Sequence, residues 1–78
     1  MQGSNTEEPY TRLANAIILQ AVKDYRDANK KISRGKVNKD AEIQKNEVLG
    51  FFRSGWFGAL TELDPEMLIT RLDKEVSQ

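Results

Sequence analysis

The 78-residue chain contains neither histidine nor cysteine, which removes most of the familiar catalytic chemistry. It can build no Ser-His-Asp or Cys-His nucleophile and no imidazole base near neutral pH. Disulfides and zinc sites of the Cys/His kind are excluded as well. Carboxylates, lysines and tyrosines remain. Asp24 and Asp27 flank Tyr25, an arrangement that moves protons when one carboxyl is buried. Asp27 is expected in solvent beside Lys23 and Arg26, which argues against that use. Glu62, Asp64 and Glu66 alternate closely, as the ligands of a hard-cation site do, but they lack the Asp-x-Asp-x-Asp-Gly spacing of a calcium loop. Helix capping already accounts for Asp64 and Glu66. Gly35-Lys36 is no phosphate loop, because Val37 follows and no glycine stands five positions before Gly35. The expectation is a protein that is not an enzyme and carries no cofactor or metal.

Charge points to binding instead. The net charge is zero, yet Lys23 to Lys39 holds seven bases and two acids, a local +5. Within it, Lys30, Lys31, Arg34, Lys36 and Lys39 are the candidate contacts to a nucleic-acid backbone, and such contacts would be salt-sensitive. Cations also suit the negative end of a helix, and no aromatic residue interleaves the run after Tyr25. Nucleic-acid binding is therefore the alternative reading. Residues 54–78 carry the complementary excess, −3. The two could pair within the molecule or between subunits, and a homo-oligomer is one way a chain without disulfides or zinc gains stability.

These groups must be positioned by helices, since no strand-like alternation occurs. One domain over residues 6–78 is expected, with residues 1–5 a disordered tail. Thr6, Glu7, Glu8 and Pro9 signal a first helix start, and the helix should run from about Pro9 to Lys30. On its wheel Tyr10, Leu13, Ala14, Ile17, Ile18, Ala21, Val22, Tyr25 and Ala28 share one broad half, and alanine recurs every seven residues at 14, 21 and 28. Leu19 falls among the basic residues opposite. Gly35 should supply a positive-φ turn, and Asn38 caps a second helix over Lys39–Arg53 with Ala41, Val48, Leu49 and Phe52 inward. Phe51 lies at the edge of that arc and Ile43 outside it. Gly50 weakens this helix and suggests close packing or a bend.

The segment Phe51–Leu60 holds four of the six aromatic residues, too much ring area to leave in water cheaply. Ser54 should cap a short helix over Gly55–Glu62, with Phe52, Trp56, Phe57 and Leu60 filling the core and Trp56, Leu60 and Leu63 in one stripe. Asp64-Pro65-Glu66 restarts the chain into a last helix ending near Glu75. Leu68, Ile69, Leu72 and Val76 form its stripe, and Met67 points away. The fold class expected is all-α: a small bundle of three main helices plus a short aromatic-rich one. The first two should pair antiparallel, with the C-terminal segment across them. No apolar run approaches the length of a membrane span, and the polar, acidic start reads as no signal peptide. A cytoplasmic protein with no membrane contact is the expectation.

The run Ala14-Asn15-Ala16-Ile17-Ile18-Leu19-Gln20-Ala21-Val22-Lys23-Asp24-Tyr25-Arg26 precedes Phe51-Phe52-x-Ser54-x-Trp56-Phe57-x-x-Leu60-Thr61 and Asp64-Pro65-Glu66-x-Leu68-Ile69. This pattern resembles small uncharacterised proteins of phages, prophages and mobile elements in Gram-positive bacteria. The resemblance covers most of residues 10–76, and Ser-x-Trp-Phe is its distinctive part. It implies an accessory protein in a bacterial cytoplasm that binds and modulates another protein, host or defence machinery among the classes. That family brings no functional residues with it. On the residues alone, the candidate protein contacts are Leu19, Ile43, Phe51 and Met67.

Overall fold

The computed structural model describes residues 7–76, with side chains from Tyr10 onward. It contains four helices: α1 (Glu7–Ser33), α2 (Lys39–Phe52), α3 (Gly55–Leu60) and α4 (Pro65–Val76). No strand occurs among the described residues. The chain is all-α, as its periodicity requires. The tail over residues 1–5 and the Thr6 cap lie outside the described residues.

The punctuation of the helices follows the sequence. The Asn38 side chain accepts from the Ala41 amide at 2.9 Å and opens α2. Ser54 Oγ accepts from the Phe57 amide and opens α3. Asp64 Oδ1 accepts from the Glu66 and Met67 amides at the start of α4. Each satisfies amides that a helix start leaves without a partner. Between α1 and α2 the chain reverses at Gly35, whose φ of 83° is cheap for a residue without Cβ.

α1 and α2 form an antiparallel pair. The Gln44 side-chain amide donates to the Asp24 carbonyl, while Val48 and Phe51 line a groove with Ile17 and Ala21. Rising numbers on α2 thus meet falling numbers on α1. α4 closes the bundle by packing on both, with Ile69 and Leu72 buried. The centre is a ring cluster. Tyr25 and Phe52 are wholly buried with centroids 5.7 Å apart, and Phe57 stands edge-on to Phe52 at 5.5 Å and to Phe51 at 5.8 Å. Tilted and edge-on pairs at these separations add to what burial alone contributes.

Five expectations need correction. Trp56 is 74% exposed rather than in the core. The stripe of Trp56, Leu60 and Leu63 assumed a helix reaching Glu62, but α3 stops at Leu60 and Thr61 is extended. A six-residue helix buries one narrow face, and Phe57 takes it. Leu63, beyond the helix end, is exposed too. Tyr10, Leu13 and Ile17 are exposed although they share the apolar half of α1. At 1.5 Å per residue α1 is about 40 Å long and α2 about 21 Å, so the turns of α1 that carry Tyr10 and Leu13 extend past α2, whereas Ile17 faces Val48 and Phe51 across an open groove, beside the buried Ile18. Gly50 permits no close approach: a Cβ there would meet nothing within 4 Å. Asp27 is half-buried rather than solvated.

Candidate functional site

Two surface regions and one interior cluster carry the polar and apolar groups that could act.

The interior cluster centres on Asp73 of α4. Its Oδ1 accepts from the Tyr25 hydroxyl at 2.8 Å and from Asn29 Nδ2 at 3.1 Å, and Lys45 Nζ stands 3.5 Å away. The same ammonium lies 5.4 Å from the centre of the Tyr25 ring, within cation–π range. Burial of Tyr25 and its hydrogen bond to the carboxylate push the phenol far above its usual range. Burial raises the Asp73 carboxyl too, but hydrogen bonds from Tyr25 and Asn29 and the charge of Lys45 outweigh it and hold the group below the usual carboxylate range. A phenol locked in its protonated form and a carboxyl locked in its charged form do not exchange a proton near neutral pH. One carboxylate oxygen instead holds α4 to α1 and α2 and satisfies two polar side chains, one on a buried tyrosine and one on a buried asparagine. Sequence reasoning missed Asn29 and Asp73. The only available signal was an asparagine on the inward side of α1, one turn beyond Tyr25.

Two forked ion pairs lie outside this cluster. Arg26 meets Glu75 through two contacts of 2.9 Å, and Arg53 meets Glu66 at 2.8 and 3.0 Å. Each arginine gains affinity for its proton, and the hydrogen-bonded guanidinium lowers each glutamate. Both pairs are exposed and contribute little stability. Glu66 is thereby engaged and Asp64 is a cap. No three His, Cys, Asp or Glu side chains stand close enough to hold a metal ion among the described residues.

The first surface region is a groove between α1 and α2. It has a volume of about 470 Å³, is open to solvent along its length, and is lined by Ala16, Ile17, Gln20, Ala21, Asp24, Glu47, Val48 and Phe51. Its floor is aliphatic and aromatic, and Asp24 and Glu47 stand at its polar margin. Leu13 and Tyr10 continue the same side of α1, since positions 10, 13, 17, 20 and 24 recur at three- and four-residue steps. Such a feature is shaped for an extended apolar ridge rather than for a small molecule, which would be enclosed.

The four expected contact residues do not meet on one surface. Phe51 is half-buried and lines the groove. Leu19, 66% exposed, sits about 160° around α1 from Ile17. Ile43 is exposed on the side of α2 away from the buried Ala41, Val48 and Phe52. Met67 borders shallow depressions of α4 with Leu63, Leu68 and Arg71. Ile17 and Leu13, placed by the helix wheel on the broad apolar half of α1, lie on the exposed part of that half.

The second region is the tip of the α1–α2 hairpin, where Lys30, Lys31, Arg34, Lys36 and Lys39 are all exposed. Of the seven bases in Lys23–Lys39, Arg26 alone forms an ion pair with an acid of α4 among the described residues. The charge excesses of the two chain segments are thus only partly matched inside the molecule.

No helix among the described residues is long and apolar enough to cross a membrane. Comparison of the chain with protein-family models, with curated proteins and with solved structures finds no match.

Proposed function

We propose that the protein is a non-catalytic module that binds another protein by seating an amphipathic helix of that partner in the α1–α2 groove. The observation that carries this reading is the groove itself, an apolar channel between two helices that continues along the uncovered first turns of α1. Helix-in-groove recognition needs such a channel and anchors on the partner at three- and four-residue steps. Asp24 and Glu47 at the margin enter no ion pair among the described residues, so the fitting helix carries a basic residue beside its apolar ridge. The absence of His and Cys and the commitment of Tyr25 to Asp73 support a binding role over a catalytic one. The likeness to phage and mobile-element proteins adds a setting: an accessory factor in a Gram-positive cytoplasm that modulates host or defence machinery.

The test is retention of protein from a nuclease-treated Gram-positive lysate on the immobilised full chain. Ile17→Glu, which places a charge in the groove, should lose a protein that wild type and Leu19→Glu both retain. Equal retention by Ile17→Glu, or no protein retained by wild type, sinks the proposal. Light scattering on the free chain addresses a second copy as the occupant. A dimer that Ile17→Glu makes monomeric would replace the foreign helix with this chain's own α1.

A further inference from the structure

We propose that the tip of the α1–α2 hairpin binds the phosphodiester backbone of nucleic acid without reading its sequence. Between Lys30 and Lys39 the chain places five cations and no acid. The ten residues carry +5, and the rest of a neutral chain carries −5. All five side chains are exposed, and none enters an ion pair among the described residues. Elsewhere Arg26, Lys45 and Arg53 each sit against a carboxylate, while Lys23 and Arg71 form no ion pair among the described residues but do not cluster in sequence.

The folding of the tip does not explain this excess. Lys30 and Lys31 occupy the last turn of α1, where the helix dipole favours positive charge, and Lys30 also helps lower Glu75. That account fails for the other three. Arg34 and Lys36 lie in the turn, beyond the helix. Lys39 is the first residue of α2, where the dipole disfavours a cation. Asp40 and Glu42 in the first turn of α2 suit that end, but neither forms an ion pair with the tip among the described residues. Mutual repulsion among five uncompensated cations is a cost that an external polyanion would relieve.

The geometry gathers the charges. With the chain reversed at Gly35, Lys31, Arg34 and Lys36 border one shallow concavity of about 310 Å³ together with Val37 and Asn38. Asn38 spends its carbonyl oxygen on the Ala41 amide, which leaves its side-chain NH₂ as a donor at the rim. One guanidinium fork, two ammonium groups and an amide donor around one dip suit phosphate oxygens. The tip offers no ring on which a base could stack: it contains no aromatic residue, and Tyr25 is fully buried. Stacking is therefore absent, and because Arg34, Lys36 and Asn38 stand in a turn rather than on a helix or ribbon that enters a groove, affinity should come mainly from the backbone.

Filter binding of the full chain to a single strand and to a duplex of unrelated sequences tests the inference. If four cations each neutralise one phosphate, affinity should fall about 50-fold for the single strand and about 150-fold for the duplex between 50 and 200 mM salt. Changing the sequence should leave it unaltered. Lys31→Glu with Arg34→Glu, at exposed positions in the last turn of α1 and just beyond it, should abolish binding while circular dichroism stays unchanged, and Ile17→Glu should bind as wild type. No binding at 50 mM salt, a flat salt response, or binding that survives the double reversal would overturn the inference. Capture by phosphatidylglycerol vesicles with neither oligonucleotide bound would overturn it as well, in favour of a lipid headgroup. Because the groove and the tip are probed by different variants, the outcome is independent of the protein-docking proposal.

Discussion

The two halves of α1 are made of similar residues and meet different fates. Toward its C-terminal end, Tyr25, Ala28 and Asn29 are buried, and the helix is held by the Gln44 side chain, the Asp73 carboxylate and the Glu75 fork. Toward its N-terminal end only Ala14 and Ile18 are buried, and Tyr10, Leu13 and Ile17, on the adjoining side of the helix, stand partly in water. The difference lies in the neighbours. α2 is half as long as α1, and α3 and α4 leave the side that carries Tyr10 and Leu13 uncovered. An apolar stripe therefore states which side of a helix can be buried; the lengths of the other helices decide how much of it is.

The sharpest way to break this comparison is to attack the held half through its partner. Phe52→Ala removes a wholly buried ring from contact with Tyr25 and Phe57 and should cost about 3–5 kcal/mol. For so small a domain that is most of its stability. Urea denaturation followed by circular dichroism should find the variant largely unfolded. Trp56→Ala, one residue from the buried Phe57, should change stability by less than about 1 kcal/mol. A Trp56→Ala chain that fails to fold would put the tryptophan back in the core.

A smaller effect is expected at Asp73. Asp73→Ala strands the Tyr25 hydroxyl and the Asn29 amide without their acceptor and should cost about 1–3 kcal/mol. The same carboxyl gives stability a pH dependence. Its folded-state pKa lies below the ordinary 3.8, so its contribution is fully present above that value. It is lost as pH falls through 3.8 toward the folded value. Tyr25 behaves oppositely, being raised above the ordinary 10.0; its contribution is complete below pH 10 and lost as pH rises beyond it. In Asp73→Asn, which keeps an oxygen for Tyr25, the stability gap from wild type should be constant above about pH 5 and shrink on acidification. A constant gap down to pH 2 would remove Asp73 from the network.

The smallest effect belongs to the bare half. Leu13→Glu should alter stability by no more than about 0.5 kcal/mol, since the side chain is mostly in water already. A loss comparable to that at Asp73 would mean that the first turns of α1 are packed after all and would erase the contrast.

The helices and their caps were legible because the signals are local. Asn38, Ser54 and Asp64 each bond an amide two or three residues ahead, and Gly35 turns the chain where expected. The same holds for Ile69 and Leu72, whose helix has a long partner. What could not be read depends on where helices end relative to one another. Leu63 was misplaced because α3 stops two residues early, Trp56 because so short a helix buries only Phe57, and Ile17 because it faces the open groove beside the buried Ile18. The Asp73 cluster joins residues 44 and 48 positions apart, and no spacing along the chain encodes that meeting. The groove is likewise a product of two helices, so Ile17 and Phe51 became neighbours only once the hairpin was assembled.

The position of Trp56 has an optical consequence. The chain's lone indole lies in water while the protein is folded, so its emission should already be red-shifted in the native state and barely move on unfolding. Intrinsic fluorescence would make a poor melting probe here, whereas a blue shift on mixing would report that another molecule had come to rest against α3.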